Sequence, residues 1–122
     1  IRIGESMEDR YLFKAKHFEE WHIGNIVKDP DGLYIRDIKG NVMAYIDDES
    51  TICQCTGLKD KNGNLIWEND IMKYQWNGET RIDVVKYYAP MFSYENVIRW
   101  SLYQDEVIGN IFDNPELLES DV

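Results

Sequence analysis

Cysteine and histidine are scarce in this 122-residue chain, with two residues of each. Cys53 and Cys55 are too close in sequence to connect distant segments, and in a β-strand they would point to the same face. We interpret them as two half-buried thiols of a protein that folds in a reducing compartment. His17 and His22 are not spaced as zinc ligands, so we expect neither a metal site nor a cofactor.

Long apolar runs are also absent. No stretch approaches the roughly 20 apolar residues that cross a bilayer, and none has the layout of a signal peptide. We therefore expect a cytoplasmic protein that does not associate with membranes. Because the first methionine is Met7, we expect residues 1–6 to be a cloning remnant or upstream translated sequence, and we exclude them from the predicted fold.

Positive charge is outweighed by negative charge: 13 Lys and Arg face 23 Asp and Glu, a net charge of −10. This balance disfavours nucleic-acid binding, because affinity for phosphates comes from Lys and Arg that displace counterions. Residues 103–122 contain no Lys or Arg, and their acidic residues are Asp105, Glu106, Asp113, Glu116, Glu119 and Asp121. This segment is either a solubilising tail or a binding surface for an electropositive partner.

Aromatic residues and turn formers are, by contrast, abundant. Four Trp, eight Tyr and four Phe indicate a folded chain. Turn formers at residues 29–32, 39–41, 62–64 and 77–78 separate short segments rich in aromatic and β-branched residues. These segments predict strands at residues 11–15, 21–27, 33–38, 42–46, 51–55, 65–67, 70–76, 80–88, 96–103 and 106–112. The predicted fold is mostly β, built of small antiparallel meander or barrel units.

One short helix is predicted near the end of the chain. Asn114 is a suitable N-cap, Pro115 suits the first helical position, and Glu116 and Glu119 lie near the positive end of the helix dipole. A boundary is expected at the acidic, polar residues 47–50. It would separate an N-terminal β lobe of residues 7–50 from a C-terminal β lobe of residues 51–122.

The tetrapeptide Ile-Gly-Asn-Ile occurs twice, at residues 23–26 and 108–111. The repeat is either a coincidence or the mark of two β-units that use the same bend. In the second case, Gly24 and Gly109 would each let a neighbouring backbone approach.

The sequence contains no pattern typical of catalysis. None of its serines lies in a nucleophile-elbow motif, and no glycine run could cradle a phosphate. Asp60, Asn62 and Asn64 resemble the start of a calcium loop, but Leu65 and Ile71 stand where an EF-hand requires Gly and Glu. We therefore expect a protein that is not an enzyme.

Residues 56–71, Thr-Gly-Leu-Lys-Asp-Lys-Asn-Gly-Asn-Leu-Ile-Trp-Glu-Asn-Asp-Ile, resemble the signature segment of the YopX family, whose members occur in phages and prophages. Residues 10–16 and 107–118 are similar to the family's N-terminal strand and C-terminal closure. The resemblance implies a mostly β fold with an SH3-like barrel in the C-terminal half, self-association, and no assigned activity or catalytic residue. Asn69 stands where the family usually has Gly, and we expect it to hold the same positive-φ position.

Three functions agree with these observations. The leading hypothesis is a non-enzymatic, self-associating phage or prophage protein that contacts itself and other host or phage proteins. Its core or subunit contacts would use Trp67, Trp76, Tyr87, Tyr88 and Phe92. The second is an acidic mimic of nucleic acid that inhibits a host DNA-binding protein through Asp105, Glu106, Asp113 and Glu116. The third is a single-strand nucleic-acid binder that uses the aromatic residues with Lys73, Arg81, Lys86 and Arg99.

Overall fold

The computed structural model describes residues 12–39, 42–89, 91–99 and 101–119. The chain divides into two units, Ile1–Cys55 and Thr56–Val122. The predicted remnant at residues 1–6 lies outside the described residues. Whether the two units are separate lobes with the predicted boundary stays a prediction.

The first unit is an antiparallel meander. Its strands are β1 (Phe13–His17), β2 (Glu20–Asp29), β3 (Gly32–Asp37), β4 (Met43–Tyr45) and the start of β5 (Cys53–Lys59), with a 3₁₀ turn at Glu49–Thr51. They lie in the order β4-β3-β2-β1-β5. The predicted turn at residues 29–32 joins β2 to β3, and the Asp29 carboxylate accepts a hydrogen bond from the Asp31 N–H. The core of this unit consists of Ala15, Ile35, Ala44 and Ile46, with Ile26, Leu33 and Ile52 packed against it.

The second unit contains the end of β5 and five further strands. These are β6 (Leu65–Trp67), β7 (Asp70–Trp76), β8 (Glu79–Tyr88), β9 (Met91–Tyr94) and β10 (Glu106–Asn110), with 3₁₀ turns at Leu102–Gln104 and Pro115–Leu118. β6 lies beside β5, and the other four strands form an antiparallel sheet in the order β10-β7-β8-β9. The core consists of Ile66, Met72, Tyr74, Val85, Tyr94 and Leu102, with Trp76, Phe92 and Val107 against it. Burying side chains of this size stabilises the fold by about 1.5–3 kcal/mol each.

The β7–β8 connection shows how the sequence sets the pairing. Trp76 pairs with Glu79, so the loop consists of Asn77 and Gly78 alone, which adopt φ values of 51° and 79°. Two central residues with positive φ define the hairpin turn that follows the natural twist of the strands. The predicted turn at this position is confirmed.

The mostly β prediction is confirmed, but three details differ. In the described part of the chain neither sheet closes into a barrel, so the SH3-like barrel is not confirmed. The C-terminal helix is one 3₁₀ turn, and the Asn114 side chain does not cap it. That side chain instead accepts a hydrogen bond from the Asn110 N–H.

The strand predicted at residues 96–103 is wrong. The described residues there form bends and the 3₁₀ turn Leu102–Gln104, whereas the strand in this region is β9, which lies just before them. Hydrogen bonds to side chains of earlier strands hold residues 96 and 99 out of a strand: the Asn96 N–H donates to Asp83 at 3.2 Å and the Arg99 N–H to Ser93 Oγ at 2.7 Å.

Both glycines of the repeated tetrapeptide are needed for space. A Cβ on Gly24 would lie 1.7 Å from the Arg36 carbonyl oxygen, so a neighbouring backbone does approach there. A Cβ on Gly109 would lie 2.5 Å from the Asn114 side chain, next to a register shift in the β10–β7 pairing. Gly24 therefore leaves room for a neighbouring backbone, whereas Gly109 leaves room for a side chain.

Candidate functional site

Asp60 organises the turn of the signature segment, residues 56–71. Its side chain is buried, and its carboxylate accepts backbone N–H hydrogen bonds from Asn62 at 2.9 Å, Asn64 at 2.8 Å and Val107 at 2.9 Å. Burial alone raises the pKa of Asp60, but these hydrogen bonds outweigh it and hold the pKa below its usual value. Because Val107 lies in β10, one carboxylate holds both the turn and the last strand.

The second half of the signature segment is also held by its own polar groups. Asn69 has a φ of 73°, which confirms the predicted positive-φ position. Its side-chain oxygen accepts a hydrogen bond from Lys86 Nζ at 2.8 Å, and its N–H donates to the Val85 carbonyl. The buried Asp70 accepts a hydrogen bond from the Trp67 N–H at 2.8 Å. The polar residues of the signature therefore build a turn and its strand connections.

A charged network missed at the sequence level lies inside the second unit. Asp105, whose side chain is 2% exposed, accepts hydrogen bonds from Arg99 Nε at 2.6 Å, Arg99 Nη2 at 2.7 Å and the Tyr94 hydroxyl at 2.5 Å. The Arg99 guanidinium also lies over the Tyr74 ring, 5.3 Å from its centre. Burial, followed by the hydrogen bond to Asp105, raises the pKa of Tyr94, so this hydroxyl stays protonated. These contacts give Asp105 a structural role.

Asp83 is the fourth buried carboxylate of this unit. It accepts hydrogen bonds from the Val84 N–H at 2.8 Å and from the side-chain amide of Asn96 at 3.1 Å. It thereby ties β8 to the loop that follows β9. Each of the four buried carboxylates thus orients backbone or fixes a loop, and each already has hydrogen-bond donors.

Cys53 and Cys55 are both buried, more completely than predicted. The Cys53 thiol lies 3.3 Å from the Thr51 carbonyl oxygen, to which it donates. Across the described ranges no three His, Cys, Asp or Glu side chains come together as a metal site. His17 instead contacts the Tyr45 carbonyl at 2.8 Å, and His22 contacts the Asp37 carboxylate at 2.9 Å.

The five aromatic residues predicted for core or subunit contacts fall into separate groups. Trp67 is buried, and Trp76 and Phe92 are partly buried against the core of the second unit. Tyr87 and Tyr88 are exposed, at 50% and 46%. Tyr87 pairs with Phe92 across the strands, their rings 5.0 Å apart, while Tyr88 points to the opposite face of the sheet. Of the five, Tyr87 and Tyr88 are therefore the most available to a partner.

Tyr88 belongs to an apolar surface along the edge strand β9. A cavity of about 410 Å³ lies there, lined by Tyr88, Ala89, Met91, Ser93, Tyr94, Glu95, Asn96, Val97 and Ile98. We call this lining the edge surface. Ile98 is 70% exposed, and Glu95 supplies the charge of this lining. The sequence did not indicate that Met91 and Ile98 share this surface, because the predicted strand covered residues 96–103, whereas β9 spans Met91–Tyr94 and Ile98 lies in the segment after it.

The charged residues of the two alternative hypotheses are also placed. Asp105 is buried, which removes it from the predicted mimic surface, whereas Asp113 and Glu116 are exposed. Two of the basic residues of the nucleic-acid hypothesis are engaged in ion pairs: Arg81 pairs with Glu79 at 3.2 Å, and Arg99 pairs with Asp105 at 2.6 Å.

Every helical segment of the described chain is a 3₁₀ turn of three or four residues, so none is long and apolar enough to cross a membrane. No curated protein matches the chain. Among solved structures, the crystal structure of protein EF1440 from Enterococcus faecalis matches with 29% sequence identity and a TM-score of 0.48, covering 77% of this chain and 74% of that chain. The family model described as YopX protein matches residues 14–119, which include the whole signature segment. Because this match covers most of the chain, the protein belongs to the YopX family.

Proposed function

We propose that this protein is a non-enzymatic interaction module, encoded by a phage or prophage, that self-associates in the cytoplasm of its bacterial host. The observation that carries the proposal is the edge surface, where apolar side chains are exposed beside an edge strand. Exposed apolar patches on soluble proteins commonly mark interfaces. The sequence resemblance to the YopX family had implied the same property.

The edge surface fits a second copy of the chain for an electrostatic reason. Two molecules that each carry a net charge of −10 repel each other over most approaches. The edge surface carries Glu95 as its ionisable carboxylate, so two copies can meet there with little like-charge contact. An edge strand also offers backbone N–H and C=O groups, which an identical strand can pair across a twofold axis.

Light scattering coupled to size-exclusion chromatography tests this proposal. We expect wild-type protein at about 100 μM to be an oligomer, and the double variant Tyr88→Ser/Ile98→Asp to shift toward the monomer. The matched control is Tyr103→Ser/Leu118→Asp, which changes two exposed apolar residues outside the edge surface and adds the same charge. A monomeric wild type, or equal shifts in both variants, would contradict the assignment.

A second candidate function is the acidic mimic, restricted to exposed acidic residues at the end of the unit. Asp113, Glu116 and Glu119 are exposed at the end of the second unit, where Asp113 contacts the Asn110 side chain. The triple variant Asp113→Asn/Glu116→Gln/Glu119→Gln should fold normally and should no longer bind an electropositive host protein that binds the wild type. The neutralised triple variant retaining that partner would exclude the mimic function. Asp105 is left intact, because its loss would remove the buried hydrogen bonds to Arg99 and Tyr94 and destabilise the unit.

A further inference from the structure

A small cavity in the second unit collects positive charge from separate segments. Its volume is about 220 Å³, and it is lined by Lys61, Lys73, Tyr74, Gln75, Arg99, Gln104, Asp105 and Glu106. Lys61 comes from the turn after β5, Lys73 from β7, and Arg99 from the loop after β9. Three cations therefore approach one space from three different parts of the unit. We call it the Lys61–Lys73 cavity.

Side-chain N–H donors in this cavity outnumber the carboxylate oxygens that accept from them. Lys61 Nζ and Lys73 Nζ lie 4.0 Å and 3.8 Å from the same oxygen of Glu106, beyond hydrogen-bond distance. Arg99 uses Nε and Nη2 on Asp105, and within the described residues its Nη1 has no hydrogen-bond partner. The side-chain amide of Gln104 likewise has none there. The cavity thus presents unused N–H groups and little competing acceptor capacity.

The local charge is opposite in sign to that of the whole protein. The Arg99 and Asp105 charges cancel within their bidentate pair, and Glu106 offsets one of the two lysines. One positive charge remains in the Lys61–Lys73 cavity of a chain whose net charge is −10. A fold that places uncompensated cations together loses stability through repulsion unless an anion joins them.

We propose that the Lys61–Lys73 cavity binds the phosphate group of a small phosphomonoester. A phosphate dianion offers three terminal oxygens, which suit one lysine, a second lysine and the free edge of a guanidinium. The cavity is smaller than the roughly 300–1,000 Å³ of typical drug-sized sites, so it holds a phosphate and a short substituent. The ligand displaces the Glu106 carboxylate from between the lysines. This site is separate from the edge surface and does not depend on self-association.

Titration with inorganic phosphate, followed by amide NMR in low-salt buffer at neutral pH, tests the proposal directly. We expect saturable shifts of the Gln75 and Gln104 side-chain amides, with a Kd on the order of 1 mM, the range of a single charged group. Glycerol phosphate should bind at least as tightly, and malonate should bind more weakly, because a dicarboxylate spaces its charges differently. A ten-nucleotide oligo(dT) tests whether the cavity instead binds the phosphates of a nucleic-acid backbone. Binding of this oligonucleotide without binding of inorganic phosphate would overturn the small-ligand proposal.

Two pairs of variants separate the cavity from general electrostatics. Lys61→Gln/Lys73→Gln should raise the Kd about tenfold or more, whereas Lys28→Gln/Lys59→Gln, which removes the same charge from exposed residues outside the cavity, should change it less than about twofold. Glu106→Gln removes the internal competitor and should lower the Kd about threefold, with Glu119→Gln as its charge-matched control.

Three results would overturn the proposal: no saturable binding of phosphate by the folded wild type, equal losses in the two lysine pairs, or no tightening by Glu106→Gln relative to its control. Since all the substituted residues are partly or fully solvent-exposed, the variants should fold, and the dispersion of their NMR spectra reports on this directly.

Discussion

Replacing Asp105 by alanine should destabilise the second unit more than any surface substitution. The change removes the acceptor of two Arg99 N–H groups and of the Tyr94 hydroxyl. Breaking a buried ion pair by deleting one partner costs about 3–5 kcal/mol. The Arg99 side chain is 17% exposed and lines a cavity, so water can partly solvate it and the lower value, about 3 kcal/mol, applies. The unsatisfied Tyr94 hydroxyl adds about 1 kcal/mol.

Urea denaturation followed by tryptophan fluorescence measures this loss. A decrease of about 4 kcal/mol in the free energy of unfolding lowers the midpoint by about 2 M, for a slope near 2 kcal/mol/M. Asp113→Ala, at an exposed carboxylate beyond the other end of β10, is the control and should change the free energy by less than about 0.5 kcal/mol.

The double variant Asp105→Ala/Arg99→Met distinguishes the physical cause. If the cost arises mainly from an uncompensated buried cation, removing Arg99 as well should recover part of the stability lost in Asp105→Ala. A loss below about 1 kcal/mol in Asp105→Ala, or a double variant less stable than the single one, would refute the reasoning.

Three further predictions concern other features. The pKa of Asp60 is lowered in the folded state, so the unfolded chain binds more protons at acidic pH. The stabilisation that the ionised Asp60 gives the fold should therefore be complete above about pH 4 and should disappear as the pH falls through the folded pKa. Asp60→Asn should reduce the difference between the urea midpoints measured at about pH 5 and pH 3. Gly24→Ala places a Cβ against the Arg36 carbonyl and should cost the first unit about 3 kcal/mol or more in thermal denaturation, whereas Gly63→Ala, with nothing within 4 Å but a φ of +86°, should cost the second unit about 1–2 kcal/mol. Phe18, 72% exposed at a φ of 48°, should gain about 0.5–1 kcal/mol of stability on replacement by Asn, as measured by the melting temperature.

Each of these has a clear contrary result. An acid dependence unchanged in Asp60→Asn would mean that another carboxylate carries it. Equal costs for Gly24→Ala and Gly63→Ala would show that the close backbone approach relaxes at little cost. A lower melting temperature for Phe18→Asn would mean that the contact of its ring with His17, 4.4 Å between centres, outweighs the backbone strain.

Most of the strands could be predicted because their signals are local. The Asn77-Gly78 turn and the positive φ of Asn69 follow from the conformations these residue types tolerate. The error at residues 96–103 arose because Val97 and Ile98 favour strands locally, while their neighbours are held in bends by Asp83 and Ser93 from earlier strands. The strand preference of single residues does not report hydrogen bonds to side chains 6 or 13 residues earlier in the chain.

The candidate site was predicted less well than the fold. Sequence alone could not separate core aromatics from exposed ones, because the side on which Tyr87 or Tyr88 lies depends on the register of β8 against β9. Asp105 was grouped with a surface acidic segment, although Arg99 six residues earlier offered a signal for a paired, buried carboxylate. The Lys61–Lys73 cavity is lined by three separate segments, so no short sequence motif identifies it.

The hydrogen bond from the Val107 N–H to Asp60 has a consequence for folding during synthesis. Forty-seven residues separate the two groups, so on the ribosome the signature turn emerges long before its last donor has been polymerised. Until then the Asp60 carboxylate is only partly satisfied, and the turn can open and reclose. Fragments that end before residue 107 lack this donor and most of β10, so we expect proteases to cleave them faster than the whole chain.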